Sequence, residues 1–101
     1  MKLTVQNAAD TVTGFIEGRL DTAAATQFAQ DMQPILENAS KNIVLDCSKM
    51  EFISSSGLRL FLSIRKQALA DGGNVTIKGA SQDVKQVFTI TGFTALFKFT
   101  D

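Results

Sequence analysis

A strand hands over to a helix in the stretch Phe52-Ile53-Ser54-Ser55-Ser56-Gly57-Leu58, and that handover limits what the chain can fold into. Before it, Asn42-Ile43-Val44-Leu45-Asp46-Cys47 is an apolar run of strand length. After it, Leu58 to Ala70 repeats its apolar residues at helical spacing. A strand that crosses through a helix to a further strand implies parallel pairing with right-handed connections. The junction itself lies beside the first N–H groups of the helix and the positive end of its dipole. A serine there caps the helix, but one cap needs one side-chain oxygen and the sequence supplies three. Two readings stand: a generous cap on a tight turn, or a presented hydroxyl that gains and loses a phosphate.

The rest of the chain supplies the elements around this junction. Lys2 to Gln6 and Thr11 to Ile16 alternate on either side of Asn7-Ala8-Ala9-Asp10, which predicts a β-hairpin. Gly14 inside the second strand marks a bulge or a close approach. Gly18-Arg19-Leu20-Asp21-Thr22 ends the hairpin and opens a helix, with Asp21 or Thr22 as N-cap. Ala25, Phe28, Ala29, Met32, Ile35 and Leu36 form its apolar stripe, and Pro34 kinks it or shortens it to about Gln33. Asn42 to Cys47, without alternation, reads as a central strand covered on both faces. Ser48-Lys49-Met50-Glu51 reads as the lead-in to the serines.

On the helix that follows, Leu58, Leu60, Phe61, Leu62, Ile64, Ala68 and Leu69 fill a broad apolar arc. Arg65 falls inside the arc, its stem on the core edge and its head in water. Leu60 stands at the arc's edge beside Arg59 and Ser63. It is either covered by a neighbouring helix or part of a partner surface. Asp71-Gly72-Gly73 stops the helix, and Asn74 to Lys78 is a short strand. Ser81 caps a helix carrying Val84, Val87 and Phe88 inward, and Thr91-Gly92 ends it. Phe93, Leu96, Phe97 and Phe99 pack back as a turn of helix and an edge strand. The order is β-β-α-β-α-β-α-β. It predicts one α/β domain over residues 1–101, a mixed sheet with helices mainly on one face.

Composition excludes more than it suggests. The 101 residues, 45% of them hydrophobic, suit one core. Ten basic and ten acidic residues cancel, leaving no electrostatic footprint for nucleic acid or an anionic membrane. No apolar run approaches the roughly 20 residues that span a bilayer, so no membrane insertion is expected. The single cysteine, Cys47, and the lack of a signal-peptide pattern point to a cytoplasmic setting. There is no histidine, hence neither the commonest general base nor the commonest metal ligand. No metal or cofactor motif is present, and no enzymatic activity is expected. A hydrolase using Ser55 or Ser56 as nucleophile lacks its base. A small nucleotide- or anion-binding sensor, using the same helix N-terminus, stays open at this point.

The element order, the Gly18-Arg19-Leu20-Asp21 turn, the Leu45-Asp46-Cys47-Ser48 strand end and Phe52 to Leu58 together resemble the STAS domain of bacterial anti-sigma factor antagonists. Asp71-Gly72-Gly73 and Thr91-Gly92-Phe93 fall where that family carries Gly-Gly and Thr-Gly-Leu. The resemblance implies a partner switch in transcription regulation. The unphosphorylated form binds an anti-sigma factor, a small serine kinase of the histidine-kinase-like ATPase fold, and a sigma factor is released. The kinase phosphorylates the serine directly before the glycine, Ser56 here, with Ser55 as the fallback, and a separate serine phosphatase reverses it. The family often has Asp where this chain has Ser54. The partner surface implied comprises Asp21, Ser54, Ser55 and Gly57, with Arg59, Leu60 and Ser63 along the helix. The same fold also serves as a free-standing subunit of transporters or stress-signalling complexes, which is the alternative within the resemblance.

Overall fold

A computed structural model describes all of residues 1–101. The chain forms β1 (Lys2–Asn7), β2 (Thr11–Leu20), α1 (Thr22–Asp31), α2 (Gln33–Leu36), β3 (Asn42–Ile53), α3 (Ser55–Asp71), β4 (Asn74–Lys78), α4 (Gln82–Ile90) and β5 (Lys98–Thr100). A single 3₁₀ turn, Thr94–Leu96, precedes β5. The five strands lie in the order β1-β2-β3-β4-β5. β1 and β2 are the antiparallel hairpin, and every later pairing is parallel. The mixed α/β sheet expected from the element order is therefore present.

Parallel pairing explains the position of the junction. The C-terminal ends of β2, β3 and β4 face the same way, and each is followed by a helix that starts there. Leu20 pairs with Ile53 at the ends of β2 and β3, and the Ser54 N–H donates to the Leu20 carbonyl at 2.9 Å. The Gly-Arg-Leu-Asp turn and the serine stretch are thus neighbours, as their shared strand-to-helix position requires.

Val12, Ile16, Leu20, Ile43, Leu45, Cys47, Met50 and Ile53 point into the core from β2 and β3. They meet Phe28 and Ile35 from the first two helices, Leu58, Phe61 and Ile64 from α3, and Val84 and Phe88 from α4. Phe61 lies centrally, with ring centroids 6.0 Å from Phe28 and 6.1 Å from Phe88. Phe88 in turn takes Phe97 and Phe99 edge-on at 5.7 and 5.3 Å, the geometry that ring quadrupoles favour. These contacts tie the C-terminal tail to the domain. Gly14 has a close neighbour: a Cβ there would lie 2.8 Å from Ile35 Cδ1.

Several boundaries differ from those read in the sequence. β2 extends to Leu20 and β3 through Ser48-Lys49-Met50-Glu51 to Ile53. β3 is not covered on both faces. Ile43, Leu45 and Cys47 are buried, whereas Val44 and Asp46 on the opposite face are only half-buried. The polar lead-in was deceptive because β3 carries extra residues relative to β2. Phe15 pairs with Asp46 but Glu17 with Lys49, and Gly18 with Met50 but Arg19 with Phe52. Each such bulge breaks the alternation that marks a strand. Asp46 holds the first bulge, with Oδ1 accepting from the Ser48 N–H at 3.0 Å and the Ser48 hydroxyl at 2.6 Å. Partial burial pushes the Asp46 carboxyl up, but these two bonds, with Lys78 and Lys49 nearby, outweigh it and hold the group below its usual value. Burial, assisted by the Asp46 charge, pushes the Cys47 thiol up to about 12.

The helices depart in smaller ways. α1 stops at Asp31, and a separate turn restarts at Gln33 with Pro34 at its front, where a missing N–H is harmless. Leu69, expected in the apolar arc of α3, is exposed. The Arg65 head is not simply solvated, because its Nε donates to the Leu96 carbonyl at 2.7 Å.

Candidate functional site

The serines divide their work at the start of α3. Ser54 is extended (φ −89°, ψ 170°), and its Oγ accepts from the Gly57 N–H at 3.2 Å. Its carbonyl accepts from the Leu58 N–H at 2.9 Å and so begins the helix. Ser54 is the N-cap, a role that a carboxylate at this position would fill in the same way. Ser55 and Ser56 are the first two helical residues rather than part of a preceding turn, so α3 begins three residues before Leu58. Ser55 is exposed and Ser56 half-buried. Neither hydroxyl is required by the cap.

Gly57 is placed by packing on the inside. It is buried, and a Cβ there would approach Leu20 Cγ to 2.8 Å and Ile53 Cγ1 to 3.0 Å. The missing side chain lets the first turn of α3 settle onto the ends of β2 and β3. That seating fixes the height at which Ser55 and Ser56 emerge.

The neighbouring start belongs to α1. Asp21 is half-buried, and its Oδ1 accepts from the Ala24 N–H at 2.9 Å, which makes it the N-cap in preference to Thr22. Between the two helix starts lies an open groove of about 380 Å³, lined by Thr22, Ala25, Thr26, Ser56, Arg59 and Leu60. The structure thus brings Ser56, Arg59 and Leu60 together, with the Asp21 cap adjoining Thr22. Arg59 is exposed and Leu60 half-buried. Ser55 and Ser63 do not line the groove. Ser63 is exposed and uses its hydroxyl on the Arg59 carbonyl at 3.1 Å.

Sequence reasoning missed the α1 side of this groove. Thr22, Ala25 and Thr26 share one helical face at steps of three and four, and small residues there leave the depression open. Ala25 belongs to the core stripe and also lines the groove. Near the same end, the Arg19 guanidinium lies 4.5 Å from the centre of the Phe52 ring, at the paired positions just before the two junctions. No cluster of side chains suited to a metal ion is present. No helix is long and apolar enough to cross a membrane.

Chemically, the site offers two unengaged primary hydroxyls at a helix N-terminus. They sit beside a shallow surface with one cation and one half-covered leucine. It holds no histidine to activate a hydroxyl from within.

Known proteins with this architecture are numerous. A Bordetella bronchiseptica protein, BtrV, whose name assigns it as an anti-sigma factor antagonist, is 29% identical over 97 residues, covering 96% of this chain and 84% of the relative. A Thermotoga maritima structure, likewise titled as an anti-sigma factor antagonist, superposes with a TM-score of 0.86 at 22% identity, covering 98% of this chain and 86% of that one. SpoIIAA, an anti-sigma factor antagonist solved in its unphosphorylated form, gives 0.81 at 22% identity over 99% and 89%. The same Bacillus protein in its phosphorylated form gives 0.73 at 20% identity over 99% and 92%. These structural likenesses establish the fold. The sequence model of the STAS domain matches residues 2–101, nearly the full length, and the chain belongs to the STAS domain family.

Proposed function

We propose that this protein is an anti-sigma factor antagonist switched by phosphorylation of Ser56. The observation that carries the reading is the division of labour at the start of α3. Ser54 alone completes the cap, and Ser56 opens onto a groove shared with the Asp21 helix start. A relative named as an anti-sigma factor antagonist and the existence of phosphorylated and unphosphorylated forms of SpoIIAA support it. In its unphosphorylated state the protein binds an anti-sigma factor with serine kinase activity, and the sigma factor is released. The binding surface comprises Asp21, the exposed parts of Ser54, Ser55 and Ser56 seated by the buried Gly57, and Arg59, Leu60 and Ser63.

The kinase transfers the γ-phosphoryl group of ATP to Ser56 Oγ. The bond from that phosphorus to the β–γ bridging oxygen breaks, ADP leaves, and the hydroxyl proton goes to a base on the kinase. A phosphatase later hydrolyses the ester with water and releases inorganic phosphate. The protein performs no chemistry itself. It presents the hydroxyl, and the helix N-terminus tolerates the added charge. Repulsion and the desolvation of a dianion then weaken the interface, and a loss of about 3–4 kcal/mol lowers affinity by two to three decades.

The test is incubation with the cognate kinase and ATP, read by intact mass and peptide mapping. One phosphate on Ser56 is expected, and none after Ser56→Ala, a variant that keeps the fold and still binds. Phosphate on Ser55 would move the site by one residue. Tight binding with no phosphate on Ser54, Ser55 or Ser56 would overturn the switch. ATP bound without any partner would favour a nucleotide sensor instead.

A further inference from the structure

The groove that holds Ser56 carries one charge. Thr22, Ala25, Thr26 and Leu60 are uncharged, and Arg59 is the only ionised side chain that lines it. Arg59 stands three residues after Ser56 on α3, a spacing that sets two helical side chains next to each other. The first turn of α3 holds no acidic residue, and the Asp21 carboxylate is engaged by the Ala24 N–H in capping α1. No carboxylate of the groove therefore competes for the guanidinium in the unmodified protein.

We propose that a phosphate on Ser56 captures Arg59, forming a phosphoserine–arginine pair within the groove. The proposal deepens the reading of Ser56 as the acceptor and rests on it. A phosphoserine carries about −1.5 to −2 charges and three strong acceptor oxygens, and a guanidinium presents a matching fork of donors. Unmodified, Arg59 is exposed and free to meet an acidic group of a partner. Once paired, it is withdrawn into its own chain. The modification then acts twice on one surface: it adds an anion and removes a cation. Arg59 is in this sense a positioning residue for the switch, since it fixes the phosphate over the groove rather than leaving it to point into solvent.

The experiment needs no kinase, so its result is independent of whether any kinase modifies this serine. Phosphoserine is incorporated at position 56 of the full chain during synthesis, and the phosphorus NMR shift is followed against pH. A neighbouring cation favours the dianion, so the pair lowers the second pKa of the phosphate from its ordinary value of about 6. Arg59→Ala is expected to raise that pKa by about 0.3 unit or more. Arg59→Lys, which keeps the charge without the fork, is expected to recover part of the shift. Lys66→Ala, on the polar side of the same helix, is the control and is expected to leave it unmoved. The melting temperatures of all variants are measured to show that each is folded. An Arg59→Ala shift no larger than that of Lys66→Ala would overturn the proposal.

Discussion

α3 and α4 start alike and differ in one respect that separates folding from function. Each begins with an extended serine whose hydroxyl oxygen accepts from the third helical N–H at 3.2 Å, Ser54 from Gly57 and Ser81 from Val84. Each follows the C-terminal end of a parallel strand. After the cap, α4 continues with Gln82, Asp83 and a buried Val84. α3 continues with Ser55, Ser56 and a buried Gly57. At the second helical position α4 already carries the carboxylate that a helix dipole favours, where α3 carries a neutral hydroxyl. The fold needs no more at either start than a cap and a seat. The hydroxyls of Ser55 and Ser56 are surplus to both, which is why they are the place to look for function.

The third helical position should break the symmetry most strongly. Gly57→Val forces side-chain atoms against Leu20 and Ile53, and is expected to lose about 2–3 kcal/mol of stability by overpacking. Val84→Ala at the equivalent place in α4 does the opposite, emptying a filled site at a cost of about 1–3 kcal/mol. Urea denaturation measures both. A Gly57→Val protein as stable as the parent would mean that the glycine is not seated on the strand ends.

The caps come next in size. Ser54→Ala and Ser81→Ala are each expected to cost about 1 kcal/mol, whereas Ser55→Ala and Ser56→Ala should stay within about 0.5 kcal/mol of the parent. An equal loss at Ser54 and Ser56 would contradict the division of labour. Asp21→Asn extends the comparison to α1. Asparagine caps as well as aspartate, so stability should change by only a few tenths of a kcal/mol. Under the proposed function, binding to the anti-sigma factor should nonetheless weaken. A large drop in melting temperature with unchanged binding would assign Asp21 to the cap alone.

Much of this architecture was legible because its signals are local. Ser81 and the Asp21-Thr22 pair announced their helices, and the stripe from Ala25 to Leu36 and the arc from Leu58 to Ala68 gave the faces that pack. What the sequence hid depends on contacts between elements. The bulges of β3 disguise Ser48 to Glu51 as a loop, since their period makes sense only against the register of β2. Ser55-Ser56-Gly57 are weak helix formers. They are helical because Ser54 caps them and Leu20 and Ile53 receive the glycine, neither of which propensity records. The groove was illegible for the same reason. Ser56, Arg59 and Leu60 could be singled out from α3 alone, but its other wall comes from α1, and only the parallel pairing of β2 with β3 sets the two helix starts side by side.

The smallest expected effect tests the central premise, that α3 can take a negative charge where α4 already has one. Asp83→Asn removes a carboxylate from the first turn of α4 and is expected to cost about 0.3–1 kcal/mol at low ionic strength. Ser56→Asp adds one at the same helical position of α3 and is expected to gain an amount of that order. Both changes should shrink as salt is raised, because both charges are accessible to screening. The two variants should part company in binding. Asp83→Asn should leave the proposed partner interface alone, while Ser56→Asp places an anion in the groove and should weaken the proposed complex, though less than a dianionic phosphate would. A Ser56→Asp protein that is more stable yet binds poorly would show the helix start accepting the charge and the partner rejecting it. If that variant is instead destabilised, the start of α3 is not a place where a phosphate can sit without disturbing the fold, and repulsion at the interface would no longer account for the switch.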